Sequence, residues 1–257
     1  MIARGARLAV CVVAAAAMSA ACANPFVPQY EYEEQVYLSV DGRATVVIDT
    51  SLPALVALRG VAIDPSPDGS ADRDGIRRVF EAARCQVENV SRFWTRRGRR
   101  FVQIRVAAGD VRQLPACGLL AWSSYSLAPM EGGGLRYQQT IGVAGVAAAT
   151  TDPGAVKWSG DELVAFKLHL PSRIRKHNVK LLDGTNGTVE RGNILTWAQT
   201  LADRRAGRPV VIDVEMDHTS ILNTTLWLFG GAFAAAVAVL MVAIWLTMRK
   251  GRKTKLM

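Results

Sequence analysis

Read for its spacing of apolar and polar positions, the chain falls into three parts. An apolar run lies near the start, a long one near the end, and between them come about 200 residues of short patterned segments. Tyr30 to Val40 alternates about Tyr30, Tyr32, Gln35, Tyr37 and Leu38, and Thr45 to Ile48 is β-branched. Asp41-Gly42 between them tolerates positive φ, so the pattern predicts a hairpin. Ser51 and Pro53 open a short helix, Pro53 to Leu58, which is apolar almost all round and therefore suited to burial, with Gly60 past its end. After an Asp64 to Gly69 loop, Ile76, Val79, Phe80 and Ala83 recur at helical spacing and predict a second helix over Asp74 to Arg84. Val87 to Trp94 and Arg100 to Val106 then flank a turn, Thr95 to Arg99, as a second hairpin. Gly109 to Leu114 reads as one helical turn. Leu119 to Ala128 and Leu135 to Thr140 read as strands joined across Glu131 to Gly134. The Gly/Ala-rich Ile141 to Ala149 reads either as a strand end or as a closely packed loop. Asp161 to Leu170 is a strand ended by Pro171, Asn186-Gly187 a turn, and Asn193 to Gln199 and Pro209 to Met216 further strands. Eight or nine short strands with two early helices and no βαβ alternation predict an α+β domain with antiparallel pairing.

The two apolar ends bound this domain. Leu226 to Met248 carries no charge over 23 residues. At about 1.5 Å per residue it reaches about 34 Å, against about 30 Å for a hydrocarbon core. It predicts a transmembrane helix over 224–248, joined to the domain by a short link, His218 to Asn223. Arg249, Lys250, Arg252, Lys253 and Lys255 follow at once, whereas Asp213, Glu215 and Asp217 precede it. The positive-inside rule then puts a basic 249–257 tail in the cytoplasm and everything earlier outside. Residues 1–23 read as a secretory signal, with Arg4 and Arg7 before an apolar run, Leu8 to Ala21, too short to span. Ser19-Ala20-Ala21-Cys22 resembles the bacterial lipobox, which would make Cys22 a lipidated N-terminus. Ordinary cleavage after Ala21-Cys22-Ala23 is the alternative. Residues 24–223 are left as one extracytoplasmic domain.

Charge and cysteine refine this layout. The formal charge of +9 suggests nucleic-acid binding until it is divided by region: the signal contributes +2 and the tail +5, whereas residues 24–223 contribute only +2. The basicity is mainly topogenic, and a nucleic-acid footprint is missing from the domain. Of four cysteines, Cys85 and Cys117 are the pair within the exported domain. An oxidising compartment favours a bridge between them over two buried thiols, and its 33-residue loop predicts about 3–4 kcal/mol of stabilisation.

Candidate chemistry is sparse. Arg92, Arg96, Arg97, Arg99 and Arg100 crowd the second hairpin beside Phe93, Trp94 and Phe101. Guanidinium forks match phosphate and aromatic rings favour the membrane interface, so these five arginines form a candidate anion or headgroup patch. His169, His177 and His218 lack metal-ligand spacing, and no nucleophile elbow, P-loop or dinucleotide fingerprint occurs. The sequence therefore nominates no catalytic residue, metal or cofactor. Gly231 with Ala235 gives small-xxx-small spacing in the span, which suits a homodimer or a membrane-protein partner.

Lipobox-like Cys22, the Val40-Asp41-Gly42 hairpin, the late Gly192-Asn193-Ile194-Leu195-Thr196-Trp197 segment and the terminal span together resemble the mycobacterial LppM-type lipoproteins and related bacterial membrane lipoproteins. The resemblance implies an α+β extracytoplasmic domain at the cell envelope with a lipid or glycolipid partner, and it carries over no catalytic residue. The expectation is a single-pass module in the bacterial inner membrane that binds or interacts through its outer domain. An envelope enzyme acting on lipid or cell-wall material and a structural subunit of a membrane complex are the alternatives.

Overall fold

The computed structural model describes residues 28–143, 158–159 and 161–253, with side chains described as far as residue 246. The lipobox-like Cys22 and residues 144–149 of the ambiguous stretch lie outside the described residues.

The first hairpin forms as its pattern requires. β1 (Tyr30–Leu38) and β2 (Ala44–Ser51) pair antiparallel from Tyr32↔Thr50 to Leu38↔Ala44, and Gly42 takes φ 89 in the turn. β2 runs directly into α1 (Leu52–Arg59). The Ser51 hydroxyl accepts from Ala54 N at 3.2 Å, Pro53 lies in the first turn, and Gly60 closes the helix in the left-handed region at φ 63. α2 (Arg73–Ala82) is capped by Asp72 and buries Ile76 and Phe80.

β3 (Gln86–Val90), β4 (Trp94–Arg96) and β5 (Arg99–Ala108) follow, with both β3 and β4 pairing with β5. Two 3-10 turns, Val111–Ala116 and Gly118–Leu120, lead to β6 (Ser123–Pro129) and β7 (Leu135–Ile141). β6 therefore starts later than its apolar run suggests. Gly118 N donates to Ala83 O at 2.8 Å, which folds Leu119 and Leu120 back toward the end of α2. The remaining elements are β8 (Leu163–His169), β9 (Ser172–His177), β10 (Ile194–Thr200), α3 (Leu201–Arg205), β11 (Val210–Ser220) and α4 (Ile221–Lys253).

Two sheets result. Sheet 1 has the order β10-β8-β1-β2-β5-β3, with β4 also on β5, and sheet 2 the order β6-β7-β11-β9. The α+β class holds, whereas all-antiparallel pairing does not. Sheet 1 is mixed, and since its other pairs are antiparallel, β8 lies parallel to β1. β5 already occupies the far side of β2, so the free edge of β1 accepts the later strand. One continuous core joins the inner face of sheet 1 (Tyr32, Val36, Ile48, Ile104, Phe166, Leu195) to α1, α2 and the inner face of sheet 2 (Tyr125, Tyr137, Ile212, Met216).

Eleven strands are present among the described residues, against the eight or nine expected. β9 escapes the pattern because Ser-Arg-Ile-Arg-Lys-His is an edge strand with mainly polar side chains on both faces. The turn expected at Asn186-Gly187 lies instead around Asp183-Gly184, with Gly184 at φ 82. Gly187 serves another need, since a Cβ there would collide with Val179.

The expected link before the span is absent. β11 stays paired as far as Ser220↔Ser172, and Ile221, the first residue of α4, donates its N–H to Pro171 O at 2.9 Å. The Ser220 hydroxyl accepts from Leu222 N at 3.2 Å, so strand passes into helix through one capping residue. Ile221–Leu246 is long and apolar enough to cross a membrane, and the domain covers none of it.

Candidate functional site

Sheet 1 has two unlike faces because β alternation sends successive side chains to opposite sides. On β1, Tyr32, Glu34, Val36 and Leu38 are buried toward the core, while Glu33, Gln35 and Tyr37 stand on the other face. That outer face carries a polar row across five strands: Thr196 opposes Lys167 on β10 and β8, Lys167 reaches Glu33 on β1 through an ion pair, and Glu33, Asp49 and Gln103 stand in register on β1, β2 and β5. Glu33 and Asp49 are like charges directly opposite each other, an arrangement that is unfavourable unless shared cations or donors intervene. Lys167 Nζ pairs with Glu33 at 2.9 Å, and Gln35 Nε2 donates to both Glu33 (2.7 Å) and Asp49 (3.3 Å). Gln103 Nε2 also donates to Asp49, at 2.9 Å. Burial nevertheless pushes the Asp49 carboxyl above its ordinary value, against those two amide donors.

Aromatic rings stand at both ends of this face. His169 stacks on Tyr37 with centroids 3.9 Å apart and its Nε2 lies 2.9 Å from Gln35 Oε1. Burial, helped by Lys167, lowers its pKa and favours the neutral ring. At the other end Trp94 stacks on Phe101 at 5.8 Å, and Tyr37 and Trp94 are each about two-fifths exposed (41% and 39%).

Asp49→Asn tests the electrostatics. With the folded pKa raised, the native state holds the proton more tightly than the unfolded chain, so ionisation weakens the fold as pH rises through and above the usual carboxylate range. The asparagine variant should lack that contribution. Its melting temperature relative to wild type should rise between acidic and neutral pH, and a flat difference would contradict the assignment.

The arginines nominated by the sequence do not form one free patch. Arg99 bridges Glu31 (2.9 Å) and Glu162 (3.2 Å) and lies 4.8 Å from the Trp158 ring centroid. Arg100 donates to Gly69 O and Ala71 O, each at 2.8 Å, and stacks over Phe93, thereby holding the 64–71 loop. Arg96 lies 4.1 Å over Phe101, and burial lowers its pKa. Arg92 and Arg97 are exposed, with Arg97 at φ 51 in the tight turn.

The position of that turn follows from β8. Its Leu163 end adjoins Glu162, the partner of Arg99. Its His169 end leads through Leu170 to Pro171, which binds the first residue of α4. A seven-residue strand is about 20 Å long. The cationic turn thus lies at the opposite end of β8 from the root of the helix. Near that root, Asn193 of the Gly192-Asn193 segment sits at φ 58, accepts from Leu170 N and donates to Ser172 O, tying the β8–β9 corner to β10.

A second polar cluster lies inside the core and left no signal in the sequence. Arg59, on the apolar helix α1, forms a buried ion pair with Glu34 and donates to the Tyr32 hydroxyl. It also donates to Leu119 O at 2.6 Å and lies 3.6 Å over the Trp122 ring. Tyr32 OH donates to Glu34 at 2.8 Å, and burial raises the pKa of Tyr32 and Tyr125 so that both stay protonated donors. Arg204 on α3 is also fully buried, 5.1 Å from the same Trp122 ring, and donates to Gly142 O and, at 3.3 Å, to Gln199 Oε1. The Cys85–Cys117 pair is a disulfide that joins the end of α2 to the junction of the two 3-10 turns. Among the described residues no group of three or more His, Cys, Asp or Glu is placed to hold a metal ion.

No family model matches the chain. No curated protein matches it either. Among solved structures it is similar to the folded domain of the Mycobacterium tuberculosis LppM protein, determined by NMR. The identity is 14% and the TM-score 0.39, over 77% of this chain and 96% of that one. A likeness of that grade reaches no further than a distant resemblance in outline.

Proposed function

We propose that the protein is a single-pass membrane module whose extracytoplasmic domain binds a partner through the outer face of sheet 1. The direct passage of β11 into an uncovered apolar helix carries the reading. A domain joined to its span through one capping residue is held at the bilayer surface in a restricted orientation, which suits recognition at a membrane. The open face supplies paired charges, amide side chains and two accessible rings, the mixture that polar partners with some apolar surface require. The acidic residues before the span and the basic tail after it favour a cytoplasmic C-terminus in a bacterial inner membrane. A second helix, from another copy or a membrane partner, fits the shallow groove of Asn223, Leu226, Trp227, Gly230, Gly231 and Ala234.

Topology can be read with a membrane-impermeant maleimide. Arg97→Cys in intact cells should label, whereas Lys255→Cys should label only after lysis; the reverse pattern would overturn the reading. The same Arg97→Cys chain tests whether the turn touches lipid. Because the turn lies about 20 Å along β8 from the helix root, it should label at equal rates in anionic and zwitterionic nanodiscs. Marked slowing in the anionic discs would instead support a headgroup role for Arg92 and Arg97.

A further inference from the structure

Among the described residues two glutamates and two arginines are buried, Glu31, Glu34, Arg59 and Arg204, and the two carboxylates pair with Arg99 and Arg59. Arg59 and Arg204 are both buried beside Trp122, and Glu34 is paired with Arg59; among the described residues Arg204 has no carboxylate partner within salt-bridge distance. Among the described residues, three buried donor atoms in this region have no hydrogen-bond partner: Arg204 Nε, Trp122 Nε1 and Trp197 Nε1. The three residues that carry them each neighbour Phe166. Arg204 lies 6.0 Å from the Phe166 ring centroid, Trp122 packs on Phe166 at 5.7 Å, and Trp197 sits opposite Phe166 in the β10–β8 register. Buried donors are ordinarily satisfied, and a buried guanidinium without a counter-charge is costly. All three orphans are donors, and they share one region with an unbalanced cation.

We infer that the Arg204–Trp122–Trp197 cluster is a binding site for an oxyanion, a phosphate or carboxylate group received among the aromatic rings around Phe166. A group that only accepts hydrogen bonds and carries negative charge satisfies the three donors and the guanidinium together. The rings suit a ligand that carries the anion on an apolar body, while the donors alone suit a free anion. This goes beyond the reading of the outer sheet face as a binding surface. It differs in what it requires, since the site lies in the core and not on the outer sheet face.

The experiment uses the full chain in dodecyl maltoside micelles, which carry no anion, at constant ionic strength. Inorganic phosphate, hexyl phosphate and uncharged hexanol are titrated while tryptophan emission and the thermal midpoint are followed. Phosphate, hexyl phosphate or both should raise the midpoint saturably, and hexanol should not. Arg204→Met should weaken that response by about tenfold or more, as expected for losing charge-assisted hydrogen bonds. If Arg204→Met fails to fold, Trp122→Phe and Trp197→Phe, which each delete one donor, replace it in the comparison and should each weaken binding. A response to hexyl phosphate alone assigns an amphiphilic anion such as a lipid headgroup; an equal response to phosphate assigns a free anion. No saturable response in wild type, or one unchanged in these variants, overturns the inference. Maleimide labelling reports sidedness separately, so either result can fail without the other.

Discussion

Replacing Glu34 with alanine should destabilise the domain by about 3–5 kcal/mol, the largest effect expected of any single polar substitution here. Glu34 is fully buried on the inner face of β1 and is the carboxylate paired with Arg59. Its removal leaves Arg59 uncompensated close to Arg204, whose pKa is already lowered by burial and next by repulsion from Arg59. It also deprives the Tyr32 and Tyr125 hydroxyls of their acceptor. For a domain of this size that loss corresponds to a fall in melting temperature of roughly 10 °C. Because the pair is shielded from solvent, added salt should change the result little. The double variant Glu34→Leu with Arg59→Met removes both charges and should be milder than Glu34→Ala alone. A thermal melt in which Glu34→Ala costs less than about 1 kcal/mol would refute this account of the core.

Cys117→Ser should cost about 2–4 kcal/mol, and it should do so only under oxidising conditions. The bridge closes a segment with a sequence separation of 32 and joins two pieces that otherwise share few ties, the end of α2 and the 3-10 turns. Arg84 takes φ 64 immediately before Cys85, so the helix ends in a left-handed residue that aims the next side chain at Cys117. Wild type treated with reductant should melt like the variant, and the two thiols should resist alkylation until reductant is added. Free reaction of both thiols in the untreated protein would exclude the bridge.

Local structure was legible wherever one side-chain preference decided it. Asp41-Gly42, Ser51 with Gly60, and Asp72 each act within a few residues, so the first hairpin and both early helices follow from the chain alone. β9 was hidden because its polar edge carries no period-two apolar signal. The parallel β8–β1 pair was hidden because it depends on which sheet edge is free once β5 has paired with β2. The site was less legible still. Arg59 sits in an apolar helix and Arg204 in a five-residue one, and neither spacing nor composition marks them as neighbours. Conversely, Arg96, Arg99 and Arg100 were conspicuous as a run, yet cross-strand and loop contacts engage them within the protein.

What the sequence determined by itself, then, was an apolar segment long enough to cross a membrane, the weak charge of the domain, the α+β class and the elements set by capping and turn residues. These follow from interactions of short range or from composition, which a linear reading retains. The tertiary structure alone decided that β11 enters the long apolar helix without a link, since that depends on pairing Ser220 with Ser172. It also decided that the arginine turn faces the opposite end of β8 from that apolar helix. Finally, it placed two buried arginines around one tryptophan, because long-range packing sets which side chains lose their water together and must find partners in one another.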